Sequence, residues 1–269
     1  MDHIQEEILA LVKHSRSYNT VADSVILRVV AKELKNSSNK RMVVKRVKSE
    51  LHQIYGAFNK DVNYEKIFSS INAAFLNKDK ETLRQALVSA MQASNSSGER
   101  IPVLDHFYKN LFAITGYPKR VLDLACGLNP LSFLYLGFPK DIQYFAYDIG
   151  EREIDFLNRT FRLLGYSEMH ASAIDLLVDV PREEVDIALL LKTMPSIEVQ
   201  QKGRMLAIAK GLHAKFIVIS FSTFNLGIIK RKRNVEDLYV KDFRGEFSEV
   251  FGDVKEFTVD GELVFVIKK

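Results

Sequence analysis

The stretch Val121-Leu122-Asp123-Leu124-Ala125-Cys126-Gly127-Leu128-Asn129-Pro130 decides the reading of this chain. A short apolar run leads into a turn with a single glycine. Pro130 then suits the first turn of a helix, where a missing N–H leaves no bond unmade. A strand that passes through a glycine turn into a helix opens an α/β sheet, and ligands bind such sheets at the carboxyl ends of the strands. Gly127 lets the backbone approach a ligand closely. The G-x-G-x-x-G pattern that cradles phosphates is absent, which weakens a dinucleotide reading. A plain strand-to-helix turn is the competing explanation for this segment.

Outward from this turn, short apolar runs alternate with amphipathic segments. The strand candidates are 120–124, 142–147, 168–173, 185–191 and 215–221. The helix candidates are 130–137, 151–164, 198–211 and 235–250. Strands that alternate with helices predict a parallel sheet with right-handed crossovers. The end of the chain differs. Val254–Val259, the pair Asp260-Gly261 and Glu262–Lys268 read as a hairpin with a tight turn. A Rossmann-like α/β sheet closed by an antiparallel hairpin is the plan of the class I methyltransferase fold.

Before Arg120 the pattern is helical throughout. Val25, Ile26, Val29, Val30 and Leu34 share one face, as do Val44, Val47, Leu51, Ile54, Tyr55 and Phe58. Segments 62–76, 79–93 and 101–114 continue in this style. Asn36-Ser37-Ser38-Asn39 and Ser94-Asn95-Ser96-Ser97-Gly98 read as linkers. The expected plan is an all-α domain over residues 1–100 and an α/β domain over 101–269.

Charge follows that division. The chain of 269 residues is 47% apolar and carries a net charge of +4, so it is globular and only weakly basic. Residues 1–100 hold 16 Lys and Arg against 11 Asp and Glu, whereas 101–269 hold 22 against 23. Residues 28–48 contain eight Lys and Arg and the single acid Glu33. Such a cluster suits a polyanion, although a solvated helix face explains it equally well. One cysteine excludes an internal disulfide, and the scattered histidines offer no metal-ligand spacing. The acidic start is unlike a secretory signal, and no run is long enough for a membrane span. A cytoplasmic, metal-free monomer is the expectation.

The strand ends carry the candidate chemistry. Asp148 closes the second strand 21 positions after Gly127, a spacing suited to holding ribose hydroxyls. Asp175 follows the third strand and could face an adenine edge. Lys192-Thr193-Met194-Pro195 follows the fourth. Each residue alone could be a cap or a surface charge; four polar strand ends together define one cleft.

At this point the chain resembles the aminoglycoside-resistance methyltransferases that modify N7 of a decoding-site guanine in 16S rRNA. Leu51-His52-Gln53-Ile54-Tyr55-Gly56-Ala57-Phe58 is similar to that family's LHxIxGxY/F stretch, and Ser96-Ser97-Gly98-Glu99-Arg100 to the end of its HxSTxER motif. Asp123 with Cys126-Gly127-Leu128-Asn129-Pro130-Leu131 matches its D-x-x-C-G-x-N-P-L turn. Ala146-Tyr147-Asp148-Ile149, Lys192 with Pro195, and Gly261-Glu262-Leu263-Val264 with Ile267-Lys268-Lys269 also fit. The resemblance covers nearly the whole chain. It implies a helical N-terminal domain that docks on 16S rRNA within the 30S subunit, and a C-terminal domain that binds S-adenosyl-L-methionine. Arg100 would meet the methionine carboxylate, and Ala125, Cys126 and Gly127 the methionine moiety. Asp148 would hold the ribose, and Asp175 with Leu176 would face the adenine. Phe58, Leu191 and Gln201 also carry over. Ser94 stands where the family has His, and Ser222 where it has Pro. Arg233-Asn234-Val235-Glu236-Asp237-Leu238-Tyr239 replaces Lys-Gly-Met-Glu-x-Asn-Tyr.

Guanine N7 has an available lone pair, so its methylation needs no general base, and positioning can carry catalysis. Lys192 and Tyr239 are the catalytic candidates, with Phe221 and Phe224 as further surfaces for an extruded base. Lys192 reads equally well as a solvated lysine, and the aromatics as core. Arg41, Lys45, Arg46 and Lys48, with the run Lys230-Arg231-Lys232-Arg233, are the candidate RNA contacts. Cys126 lacks a partnered base and is not expected to act as a nucleophile. Two other functions remain open: methylation of a different rRNA or tRNA base, and an inactive ribosome-binding protein that keeps the cofactor fold.

Overall fold

A computed structural model describes residues 3–58, 60, 62–222 and 240–269, without the side chains of 241 and 242. The helices before the sheet are α1 (His3–Lys13), α2 (Asp23–Asn36), α3 (Lys40–Leu51), α4 (Tyr64–Leu76), α5 (Lys80–Met91), α6 (Asn95–Arg100) and α7 (Leu104–Thr115). A π-helical turn, His52–Gly56, prolongs α3. There follow β1 (Arg120–Leu124), α8 (Leu131–Leu136), β2 (Gln143–Asp148), α9 (Glu151–Leu164), β3 (Met169–Ala173) and β4 (Glu184–Leu191). The remainder is α10 (Met194–Gln200), α11 (Arg204–Gly211), β5 (His213–Ser222), α12 (Lys241–Phe251), β6 (Val254–Val259) and β7 (Glu262–Lys268).

The strands form one sheet in the order β3-β2-β1-β4-β5-β7-β6. β1 to β5 are parallel, and β7 runs antiparallel between β5 and β6. This confirms the α/β reading and its hairpin. The alternation of side chains across the pleat builds two cores. Val121, Ile187, Leu189, Val218 and Val264 face one layer, with α4, α5, α7, α8 and α9 above them. Leu122, Ala188, Leu190, Ile217, Ile219 and Phe265 face the other, against α10, α11 and α12. β4 has buried residues facing both layers, as expected of a central parallel strand.

Three local expectations change. Residues 94–98, read as a linker, largely enter α6, which brings Arg100 into the interior. The helix expected over 198–211 is two helices. Gly203 takes φ +77°, and the Glu198 carboxylate accepts from the N–H groups of Gly203 at 2.7 Å and Met205 at 2.8 Å. An internal acid thus caps α11 and ends α10. In the last crossover α12 begins at Lys241, and residues 235–239 lie outside the described ones.

The expected division at residue 100 does not coincide with a break in the apolar core. α1, α2 and α3 form a separate cluster that ends at Tyr55. Ile71, Leu87 and Met91, from α4 and α5, instead join the first of the two sheet cores. The two parts meet at the tip of β2. Ala22 N–H donates to the Ile149 carbonyl at 2.9 Å, and Glu151 N–H to the Thr20 carbonyl at 2.7 Å. Glu153, buried in the first turn of α9, accepts from the Tyr55 hydroxyl at 2.8 Å and the Tyr64 hydroxyl at 3.1 Å. A Cβ on Gly150 would run into that carboxylate and lie 2.9 Å from the Tyr55 ring, so only glycine lets the parts close.

Tyr55→Phe strips the buried Glu153 carboxylate of one donor, and should lower the unfolding free energy by about 1–2 kcal/mol. Urea denaturation checks this; an unchanged midpoint would remove Glu153 from the joint.

Candidate active site

The strand order reverses between β1 and β4, and a cleft opens at the carboxyl ends of these strands. Its floor is the turn after β1. Ala125 and Gly127 both take positive φ, +51° and +50°. For alanine that is a strained conformation, of the kind that persists where the surroundings over-determine it. Cys126 N–H donates to the Tyr147 carbonyl at 3.0 Å and ties the turn to β2. A Cβ on Gly127 would sit 3.3 Å from the Ser94 hydroxyl oxygen, so α6 packs directly on the turn.

Asp148 stands at the centre. Its carboxylate accepts from Gly127 N–H at 2.8 Å, Ile149 N–H at 2.7 Å and Gly150 N–H at 3.1 Å. Burial pushes this carboxyl above its ordinary value, against the pull of the three donors. Asp148 therefore organises both loops before it meets any ligand. Burial likewise pushes the Cys126 thiol well up, which fits the expectation that it is no nucleophile.

One end of the cleft is ionic. Arg100 is fully buried and forks onto Glu262, with Nε donating at 3.0 Å and Nη2 at 2.7 Å, while Nη1 reaches Asn129 Oδ1 at 3.0 Å. Lys192 Nζ donates to Glu99 at 2.7 Å and lies 3.7 Å from Glu262. Ser220 Oγ donates to Glu262 at 2.5 Å. Burial would raise the Glu262 carboxyl, but Arg100, Lys192 and Ser220 hold it below its usual value. Asp123 lies alongside and accepts from Asn129 Nδ2 at 2.9 Å and the Tyr144 hydroxyl at 2.6 Å. Burial pushes its carboxyl up to about 6.

The other end holds apolar Ile174, Leu176 and Leu177 together with polar side chains. Leu176 lines it beside Asp175, whose carboxylate accepts from Leu177 N–H at 3.0 Å. Arg28, from α2, donates Nε to Asp175 at 2.5 Å and Nη2 to Gln200 Oε1 at 3.1 Å.

Of the residues expected to hold a cofactor, Phe58, Arg100, Ala125, Cys126, Gly127, Asp148, Asp175, Leu176 and Leu191 all line this cleft. Gln201 does not. It follows the last turn of α10 and is exposed, and its neighbour Gln200 faces the cleft instead. Lys192 lines the cleft but is no solvated lysine: it is buried and takes φ +57°. Phe221 is core, packed edge-on against Phe243 and Phe265. Phe224, Tyr239 and Lys230-Arg231-Lys232-Arg233 lie outside the described residues.

On α3, Arg41, Lys45 and Arg46 are exposed and Lys48 is half-buried. Lys32 and Lys40 of the basic cluster pair with Glu50 at 2.9 Å and Glu7 at 2.5 Å. Arg28, counted in that cluster, turns inward. Sequence reasoning gave no role to Glu262, Gln200 or Asn129. Glu262 and Asn129 lie in stretches that match the family, but Glu262 reads as the acid that opens β7 after the turn, and its partner Arg100 stands 162 positions earlier.

A ligand with a charged amino-acid head, a ribose and a flat base fits this order of groups: guanidinium, close backbone turn, carboxylate, apolar end. S-adenosylmethionine has these parts. The sheet and its cleft define a class I, S-adenosylmethionine-dependent methyltransferase.

A family model described as ribosomal RNA methyltransferase (FmrO) matches residues 14–264. A 16S rRNA (guanine(1405)-N(7))-methyltransferase of Micromonospora echinospora is 34% identical, with 100% of this chain and 97% of the relative covered. Its counterpart in Frankia casuarinae is 32% identical over 98% of this chain and 93% of the relative. Among solved structures, the 16S rRNA methyltransferase RmtF in complex with S-adenosyl-L-homocysteine superposes with a TM-score of 0.82 at 27% identity, covering 100% of this chain and 99% of that one. An rRNA methylase from Escherichia coli gives 0.79 at 27% identity, with 98% and 99% covered. The chain belongs to the FmrO family of ribosomal RNA methyltransferases.

Asp123 yields a pH prediction. Its folded value of about 6 lies above the ordinary 3.8, so between these values the folded state holds a proton that the unfolded state releases. Its contribution to stability is therefore full below the lower value and is lost as pH rises through the upper one. Asp123→Asn should flatten this part of the stability profile. Parallel pH slopes for both proteins, by urea denaturation at several pH values, would show Asp123 ionised throughout.

Proposed function

We propose that this chain transfers a methyl group from S-adenosylmethionine to N7 of a guanine in the decoding site of 16S rRNA, within the 30S subunit, and thereby confers aminoglycoside resistance. The observation that carries this reading is the convergence of Arg100 with polar groups from four strand ends in one cleft, in a chain whose family match runs nearly end to end.

The residues divide the work. Arg100 holds the methionine carboxylate with donors left over from Glu262. The backbone of Ala125, Cys126 and Gly127 lies against the methionine moiety. Asp148, fixed by three N–H groups, accepts from ribose hydroxyls with its remaining lone pairs. Asp175 and Leu176 meet the adenine, while Phe58 and Leu191 exclude water. When bound, the cofactor supplies an electrophilic methyl group on a sulfonium. The target nitrogen offers its lone pair unprotonated, so this chain needs no general base. Its task is to extrude the base and hold it in line. Lys192, clamped by Glu99 and Glu262 at the end of β4, presents a fixed cation to the base or its phosphate, and Tyr239 supplies a stacking surface.

Residues 1–100 serve as the docking part and 101–269 as the transfer part, with α4 and α5 built into the latter's core. Arg41, Lys45, Arg46 and Lys48 on α3 and the run 230–233 meet phosphates, which position a protein without reading sequence. The protein acts as a cytoplasmic monomer. It uses no metal.

Purified 30S subunits should accept labelled methyl groups from S-adenosylmethionine, while free 16S rRNA should not. Labelling of another RNA alone would redirect the target assignment, and binding without any transfer would sink the enzyme reading. Expression in a susceptible bacterium should raise tolerance to gentamicin and kanamycin.

Reversing the charges of Lys45, Arg46 and Lys48 should weaken subunit binding and flatten its salt dependence, by roughly one unit of slope per lost phosphate contact. Cofactor affinity should not change. An unaltered salt slope would make α3 a solvated face.

A further inference from the structure

The cleft is not built by the sheet alone. Val25 and Arg28, one turn apart on α2, line it, together with Ile54 and Phe58 from the segment after α3. Arg28 is the polar member of this wall. Its side chain is 22% exposed and the Asp175 side chain 6%. Their contact joins residues 147 positions apart, and the same guanidinium also grips Gln200 on α10. One planar cation thus fixes two acceptors from two crossover segments at the apolar end of the cleft. The backbone bonds between Thr20–Ala22 and Ile149–Glu151 hold the start of α2 against the sheet, so its reach is set by the fold rather than by a loose side chain.

We infer that Arg28 is a positioning residue for base recognition: it holds the Asp175 carboxylate and Gln200 in the orientation that selects the 6-amino group of adenine. The inference rests on the cofactor reading above. The chemistry is specific. A carboxylate with one oxygen engaged by Leu177 N–H and the other by Arg28 has its remaining lone pairs aimed in fixed directions. An amino group can donate to such a lone pair, whereas the 6-oxo group of inosine presents an acceptor and is repelled. Arginine suits the task because its rigid fork reaches two acceptors at once, which a lysine ammonium on a flexible stem cannot reproduce. It places α2, a helix of the docking region, in contact with cofactor recognition.

Calorimetry with two probes, S-adenosylhomocysteine and S-inosylhomocysteine, tests this on the full chain. The unaltered protein should prefer the adenosyl ligand. Arg28→Ala should weaken the adenosyl ligand by about tenfold, the scale of one charge-assisted hydrogen bond, and the inosyl ligand much less, so the preference collapses. Arg28→Lys should recover part of it. A purely structural role would weaken both ligands alike and lower the thermal midpoint; an equal loss, or no loss, overturns the inference. If Arg28→Ala does not fold, Arg28→Lys decides, and an unchanged preference there overturns it. A native protein that binds neither probe would sink the cofactor reading itself, a result distinct from an Arg28 variant that binds as the native protein does.

Discussion

The pair formed by Arg100 and Glu262 is the constraint on which the site rests. Both side chains are 1% exposed, and they meet through two hydrogen bonds. Taking two ions out of water costs several kcal/mol each, and only good geometry with further bonds offsets it. That is met here: Asn129 takes the third Arg100 donor, and Ser220 and Lys192 serve Glu262. The pair joins α6 to β7, and through its neighbours it reaches the ends of β1, β4 and β5. Removing either partner would leave an uncompensated charge in the interior. The guanidinium is thereby fixed before any ligand arrives, which limits the ordering cost of binding.

The second joint is a carboxylate held by backbone N–H groups, and it is equally local. Asp148 gathers three N–H groups, and the loop that follows it is bonded to the segment before α2. Movement of the α1–α3 cluster therefore bears directly on the loop that carries Asp148. Arg28 gives a second route between the same parts, through Asp175. The basic residues of α3 and the cleft are connected through α2, which packs on α3 and lends Val25 and Arg28 to the cleft. Binding at either surface can then alter the other only by as much as it prefers one arrangement of that helix.

Much of this was legible in the sequence. The turn around Gly127, the Asp148 spacing and the Asp260-Gly261 hairpin are local signals, because each is fixed by chain geometry over a few residues. The strands were legible because apolar runs must cover both faces of a parallel sheet. What escaped was long-range. Nothing near Arg28 distinguishes an inward arginine from its basic neighbours, and nothing near Glu262 names Arg100. The break at Gln201-Lys202-Gly203 was hidden because Glu198 caps the second helix from inside the first. The Ser94–Gly98 stretch has a linker's composition but folds as α6, since packing against the turn at Gly127 overrides propensity.

β7 is the last strand in the chain, yet it lies inside the sheet, between β5 and β6. Each parallel strand before it can be laid down beside a neighbour already made. β7 instead takes its place as the inner strand of the terminal hairpin, paired with β6 on one side and β5 on the other, and it brings Glu262 with it. Until it does, Arg100, Lys192 and Ser220 lack their common partner. Assembly of the ionic end of the cleft thus depends on contacts across most of the chain, Arg100 and Glu262 standing 162 positions apart. A chain that lacked its final hairpin would leave the buried Arg100 guanidinium without the carboxylate it forks onto, and Lys192 with Glu99 alone. The protein has a working cleft only once the whole sheet is closed.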